Sequence, residues 1–204
     1  ENISVIEVDF LKAETLEKIP SDIQGAYYLM HSMSSETDYA EKEKITALNF
    51  QKSLSKTLCE HAVYLSGIIN EESLSKHLSS RKMVEEVLSE GTYHLTTLRA
   101  GIIIGSGSAS FEIIRDLVEK LPIMITPKWL QTRCQPIGIT DVITALHRTL
   151  FNKETYNQNF DLGGPDILTY KQMLLYFAKA RGLKRRIITV PIMTPRLSSY
   201  WLYF

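Results

Sequence analysis

Short apolar runs alternate with stretches of helical periodicity along the chain. Ile3 to Phe10 alternates apolar and polar positions, the two-residue period of a half-buried strand. Ala13 to Ile19 reads as a short helix stopped by Pro20, and Ala26 to Met30 as an apolar, Tyr-rich strand ending in His31-Ser32. Ala47, Phe50, Leu54 and Leu58 recur at three- and four-residue spacing, which predicts a long helix from about Tyr39 to Glu60. Ala62 to Leu65 is a buried strand ending at Ser66-Gly67, and Lys82 to Glu90 is a helix with Val84, Val87 and Leu88 turned inward.

The next stretch, Thr97 to Phe111, reads as a buried strand that passes through the small residues of Gly101 to Ser110 into a helix N-terminus. That helix carries Phe111, Ile114, Leu117, Val118 and Leu121 on one face and stops at Pro122. Further strands are predicted at Ile123 to Ile125 and Asn159 to Leu162, with helices at Thr140 to Phe151 and Thr169 to Arg181. Such βαβα alternation predicts an α/β fold, doubly wound and Rossmann-like, with a mostly parallel sheet and helices on both faces.

Ligands of such sheets bind beyond the carboxyl ends of the strands. The polar residues there are Asp9, His31 with Ser32, Ser66 with Gly67, the run from Arg99 to Ser110, and Asp161 with Gly163 and Gly164. Small residues let backbone N–H groups approach a ligand closely, and a helix N-terminus adds unpaired donors. The Gly101 to Ser110 turn therefore suits a phosphate, a ribose or a polar substrate. The same pattern is also the ordinary strand-to-helix connection of any α/β domain.

The 204 residues are 44% hydrophobic and 23% charged, enough for one well-packed domain. The expected organisation is a single domain over 1–204, with 152–204 as its smaller, substrate-side part. Lys plus Arg and Asp plus Glu each number 23, so no global field attracts nucleic acid or an anionic membrane. No apolar run is long enough to span a bilayer and no signal-peptide pattern opens the chain, so a soluble, cytoplasmic protein is expected. Cys59 and Cys134 have neither metal-ligand nor C-x-x-C spacing, which points to reduced structural thiols and no metal. His61, His94 and His147 have no partner pattern. Lys179, Arg181, Lys184, Arg185 and Arg186 form a basic cluster that either meets a substrate phosphate or decorates a helix C-terminus. Thr140 with Asp141 is a candidate helix cap, and Asp161 with Gly163, Gly164 and Pro165 a candidate turn.

Val8-Asp9-Phe10, Ala26-Tyr27-Tyr28-Leu29-Met30-His31-Ser32, Asn49-Phe50, Val63-Tyr64-Leu65-Ser66-Gly67, Leu98 to Gly105 and Pro136 to Val142 follow one another in order. In that order they resemble extended and atypical short-chain dehydrogenase/reductases, closest to the branch similar to nucleoside-diphosphate-sugar epimerases. Phe160 to Pro165, followed by a helix and Val190-Pro191, resembles the C-terminal part of that branch. The resemblance spans nearly the whole chain and rests on order and spacing, since each motif alone has low specificity. It implies NAD(P) as cofactor, with NADP the expected form, no metal, and a small-molecule substrate. The oligomeric state is left open.

Members of this family open with a strand and a GxxGxxG loop that holds the pyrophosphate. No such motif occurs here, and the first strand resembles the family's third. The expectation is an interior piece of a longer protein that lacks the leading βαβ segment. Position by position, the resemblance puts Asp9 near the adenine, His31 and Ser32 near the cofactor ribose, and Asn49 on the central helix. Ser66 takes the place of the active-site serine. Arg99, Ala100 and Gly101 then face the cofactor, while Gly105, Ser106 and Ser108 face the substrate.

The family's Y-x-x-x-K pair is absent. His77 takes the tyrosine place and Arg81 the lysine place. A histidine can exchange a proton near neutrality, and an arginine four residues on favours its neutral form. Alternatively, Ser79 or Ser80 caps the helix and leaves His77 in the preceding loop. Two readings follow. One is an NAD(P)-dependent oxidoreductase or epimerase-like enzyme on a small polar or sugar-like substrate, with Ser66, His77 and Arg81 as its catalytic group. The other is a non-catalytic NAD(P)-binding sensor or regulatory module.

Overall fold

The computed structural model describes residues 3–30, 39–68 and 76–190, the side chains of 76–78 excepted. In chain order the elements are β1 (Gly25–Tyr28), α1 (Tyr39–Leu54), β2 (His61–Gly67), α2 (Lys76–Ser89), β3 (His94–Ala100), β4 (Ile103–Ile104), α3 (Ala109–Lys120), β5 (Ile123–Pro127), β6 (Arg133–Cys134), β7 (Ile137–Gly138), α4 (Ile139–Thr149), β8 (Asn159–Leu162), β9 (Leu168–Thr169), α5 (Tyr170–Ala180) and β10 (Arg186–Val190). The chain divides into two compact units, Glu1–Ala100 with Thr140–Leu162, and Gly101–Ile139 with Gly163–Phe204.

The first unit is an α/β layer built on a four-stranded parallel sheet in the order β1-β2-β3-β8. Strand alternation sends Ala62, Tyr64 and Leu95 to one face, where they pack against Ala47, Phe50 and Leu54 of α1 and Val84, Val87 and Leu88 of α2. These are the inward positions that the helical spacing picks out, except that Leu58, beyond the end of α1, is exposed; Leu88 is fully buried. The opposite face carries His61, which is also fully buried. Its Nδ1 accepts the Phe151 N–H at 2.9 Å, and its Nε2 lies 2.9 Å from Thr96 Oγ1, whose own proton goes to the Thr155 carbonyl at 2.6 Å. This pattern fixes the neutral Nε2–H tautomer, and burial, followed by the nearby His94, pushes the His61 pKa below its usual value.

Three predicted elements change. Ile3 to Phe10 is not a strand: Ile3 and Val5 stand 85% and 94% exposed, and no described strand pairs with them. Alternation makes a strand only where a neighbour supplies the hydrogen bonds. α1 stops at Leu54 rather than near Glu60, because the Thr57 hydroxyl donates to the Leu54 carbonyl and accepts the Cys59 N–H. The run through Gly101 is two strands, not one. β3 ends at Ala100, the chain bends at Gly101, and Ile103–Ile104 pair with Ile137–Gly138.

The second unit holds the parallel pairs β4/β7 and β5/β10 and the antiparallel pair β6/β9. Its core packs Ile114 and Val118 of α3 with Met173, Leu174 and Ala178 of α5, and with Met124 of β5. Thr169 and Gln172 form a capping box at the start of α5. α4 begins at Ile139, which puts Thr140 in its first turn, where its carbonyl accepts the Thr144 hydroxyl instead of its side chain capping the helix.

Candidate functional site

The carboxyl ends of the first unit's strands carry a row of polar residues in register: Ser66 of β2, Arg99 of β3 and Asp161 of β8. Parallel pairing places all three on the sheet face that meets α2. Arg99 is tied down there. Its Nη2 and Nε reach the two Glu85 oxygens at 2.7 and 3.2 Å, and the Asn159 side-chain amide donates to the same carboxylate at 2.9 Å. Both side chains of this pair are mostly buried. Ala100 is buried, whereas Gly101 and Asp161 are exposed.

Ser66 is 4% exposed, and its Oγ has no hydrogen-bond partner among the described residues. Burial raises the pKa of the neighbouring Tyr64 hydroxyl, while Ser66 and the Arg81 charge partly offset the rise. The Ser66–Tyr64 contact falls short of hydrogen-bond geometry, so Ser66 is left with capacity to spare. Thr97 Oγ1, two pairs earlier in register and on the same face, is also buried without a described partner. Such orphan hydroxyls are uncommon in interiors and mark places where a ligand or water completes the bonding.

α2 starts at Lys76, six residues ahead of the predicted start, so positions 77 and 81 lie one helical turn apart on it. Ser80 does not cap the helix, because its hydroxyl is spent on the Glu43 carboxylate of α1. The His77 side chain lies outside the described residues, as do His31 and Ser32. Arg81 is half-buried, with its guanidinium against Gly67. A methyl group there would overlap Nη1, so glycine lets the cation reach the end of β2.

The remaining candidates have local roles in the fold. Asp9 sits in a turn, where its carboxylate accepts the Leu11 N–H at 2.9 Å and lies 3.5 Å from Lys12 Nζ. Asn49 donates to the Phe10 carbonyl at 2.7 Å, pinning the chain that follows Asp9 to α1. In the second unit Gly105 lies against Ile139, which leaves 2.5 Å between a notional Cβ and Cγ2. Ser106 is exposed, Gly107 takes φ 82°, and Ser108 is the N-cap residue of α3 with no side-chain cap bond. Arg185 of the basic cluster binds the Val118 and Glu119 carbonyls and Arg181 pairs with Glu119, so this part of the cluster closes the C-terminus of α3.

Sequence reasoning missed an apolar cavity of about 200 Å³ in the second unit, lined by Ile102, Ser110, Ile114, Trp129, Tyr170 and Leu174. Its walls come from four separate segments, so no local pattern marks it. Among the described residues no group of three or more His, Cys, Asp and Glu is placed to hold a metal ion, and no helix is long and apolar enough to cross a membrane.

No family model and no curated protein matches the sequence. Solved structures do match its fold. RMD of Pseudomonas aeruginosa complexed with NADPH is 11% identical, with a TM-score of 0.73 over 95% of this chain and 80% of that one. A nucleoside-diphosphate-sugar epimerase of Staphylococcus aureus is 14% identical, with a TM-score of 0.75 over 98% and 67%. UDP-glucose 4-epimerase of Thermus thermophilus in complex with NAD is 16% identical, with a TM-score of 0.70 over 96% and 78%. The chain thus has the Rossmann-like α/β fold of short-chain dehydrogenase/reductase and epimerase structures.

Proposed function

We propose that this chain binds a nicotinamide dinucleotide, with NADP the preferred form, at the carboxyl ends of β1, β2 and β3. We further propose that it acts as an oxidoreductase or epimerase-like enzyme on a small polar or sugar-like substrate. The observation that carries the reading is the Ser66 hydroxyl, buried and unpartnered at the end of β2 in a fold whose solved relatives hold NAD or NADPH. The residues present fit such a group. An orphan donor and a glycine lie together at the end of β2. A bound dinucleotide supplies hydride transfer. Ser66 donates a hydrogen bond to the substrate oxygen, which orients it and stabilises charge that develops there. His77, one turn before Arg81, is the group for proton exchange. On this reading Arg99 and Ala100 border the cofactor, in a soluble, cytoplasmic protein.

A specific observation favours a second reading. α2 contains no tyrosine at any position, so the tyrosinate chemistry of the resembling family is missing, and a non-catalytic NAD(P) sensor needs none. NADPH oxidation by the full-length protein with a panel of carbonyl substrates separates the two. Turnover that His77→Ala lowers at least 100-fold, with NADPH affinity unchanged, is the expected result. Turnover unchanged by the substitution removes His77 from the mechanism, and NADPH binding with no turnover by the wild type favours the sensor.

A further inference from the structure

Arg81 is a half-buried cation. Among the described residues its guanidinium makes no ion pair or hydrogen bond, although it rests against the backbone at Gly67. Glu85, one helical turn further on α2, is the acid that the i,i+4 spacing offers. Both of its oxygens are turned to Arg99, and one also receives Asn159. An unpaired charge that has lost part of its water is costly, and the cost is recovered when an anion arrives. Beside it, the residue before Gly67 presents the unpartnered hydroxyl of Ser66, 4% exposed.

From this juxtaposition we infer that the site takes a carboxylate-bearing small molecule, whose carboxylate pairs with the Arg81 guanidinium and whose neighbouring oxygen accepts from Ser66. The inference rests on the proposed site and narrows its substrate from small and polar to anionic. A guanidinium fork matches the two oxygens of a carboxylate in plane, which a lysine ammonium does not. Phosphate fits less well, because a dianion calls for more than one free cation. Arg99, the other guanidinium at these strand ends, is already neutralised by Glu85. Gly67 belongs to the same device, since any side chain there would displace the guanidinium.

The test is calorimetric titration of the full-length protein, with and without NADPH, using butyrate, its neutral isostere butyramide, and methyl phosphate. Butyrate is expected to bind at least tenfold more tightly than butyramide and more tightly than methyl phosphate. Arg81→Gln removes that preference while leaving NADPH affinity within about twofold. Gly67→Ala, which keeps the charge but moves it, is expected to lower butyrate affinity in a protein whose melting temperature confirms folding, and it serves if Arg81→Gln does not fold. Equal binding of butyrate and butyramide overturns the inference, as does tighter binding of methyl phosphate. Loss of NADPH rather than butyrate binding in Arg81→Gln also overturns it, since the guanidinium then serves the cofactor. If NADPH fails to bind the wild type while butyrate binds through Arg81, the dinucleotide reading fails and the anion site stands.

Discussion

His61→Ala is expected to lower the unfolding free energy by about 3 kcal/mol and the Tm by about 10 °C. The imidazole ties three segments together. It accepts from Phe151 N–H, donates to Thr96, and through Thr96 reaches Thr155. Phe151 has φ 63°, a left-handed conformation unfavourable for a bulky side chain, and its backbone N–H is held by His61. Truncation leaves the part-buried Phe151 N–H unsatisfied and a cavity where a fully buried side chain stood. The pH profile gives a second readout. His61 is held below its ordinary value near 6.5, so the unfolded chain takes up a proton that the folded one refuses. Its contribution is complete above about pH 6.5 and is lost as the pH falls from there towards the depressed folded-state value. Thermal melts between pH 7.5 and 5 should show this slope in the wild type and a shallower one in His61→Ala. A Tm within 2 °C of wild type at neutral pH would contradict the account.

Glu85→Ala is expected to cost about 2 kcal/mol, because it strands the Arg99 guanidinium and the Asn159 amide beside a largely desolvated strand end. The figure lies below that for a fully buried pair because both side chains keep some contact with water. Pairing Glu85→Ala with Arg99→Met should recover part of the loss, since the double variant removes the uncompensated charge. Chemical denaturation of the four proteins of this cycle measures it. Additive losses would mean that the two side chains do not interact.

Much of this fold follows from local pattern. The inward residues of α1 and α2, the apolar run of β2 ending at Ser66, and α3 stopped by Pro122 all stand where periodicity and proline chemistry put them. What periodicity missed was decided by partners distant in sequence. Ser80 is a plausible helix cap until Glu43 of α1 takes its hydroxyl, and α2 then runs on to Lys76. Thr97 to Phe111 reads as one strand, a turn and a helix start until Ile137 and Gly138 claim Ile103 and Ile104 as a second strand. The candidate site divides the same way. Ser66 could be found from its place after a buried run. Arg99 reads from the sequence as a strand-end residue facing the cofactor, and only the folded chain brings Glu85, fourteen residues away, onto it.

We propose above that the strand ends around Ser66 form a nicotinamide dinucleotide site. Calorimetric titration of NADPH into the full-length protein tests it most directly. One NADPH is expected to bind per chain, saturably and more tightly than NAD. The absence of saturable binding by either dinucleotide at millimolar concentration would contradict it.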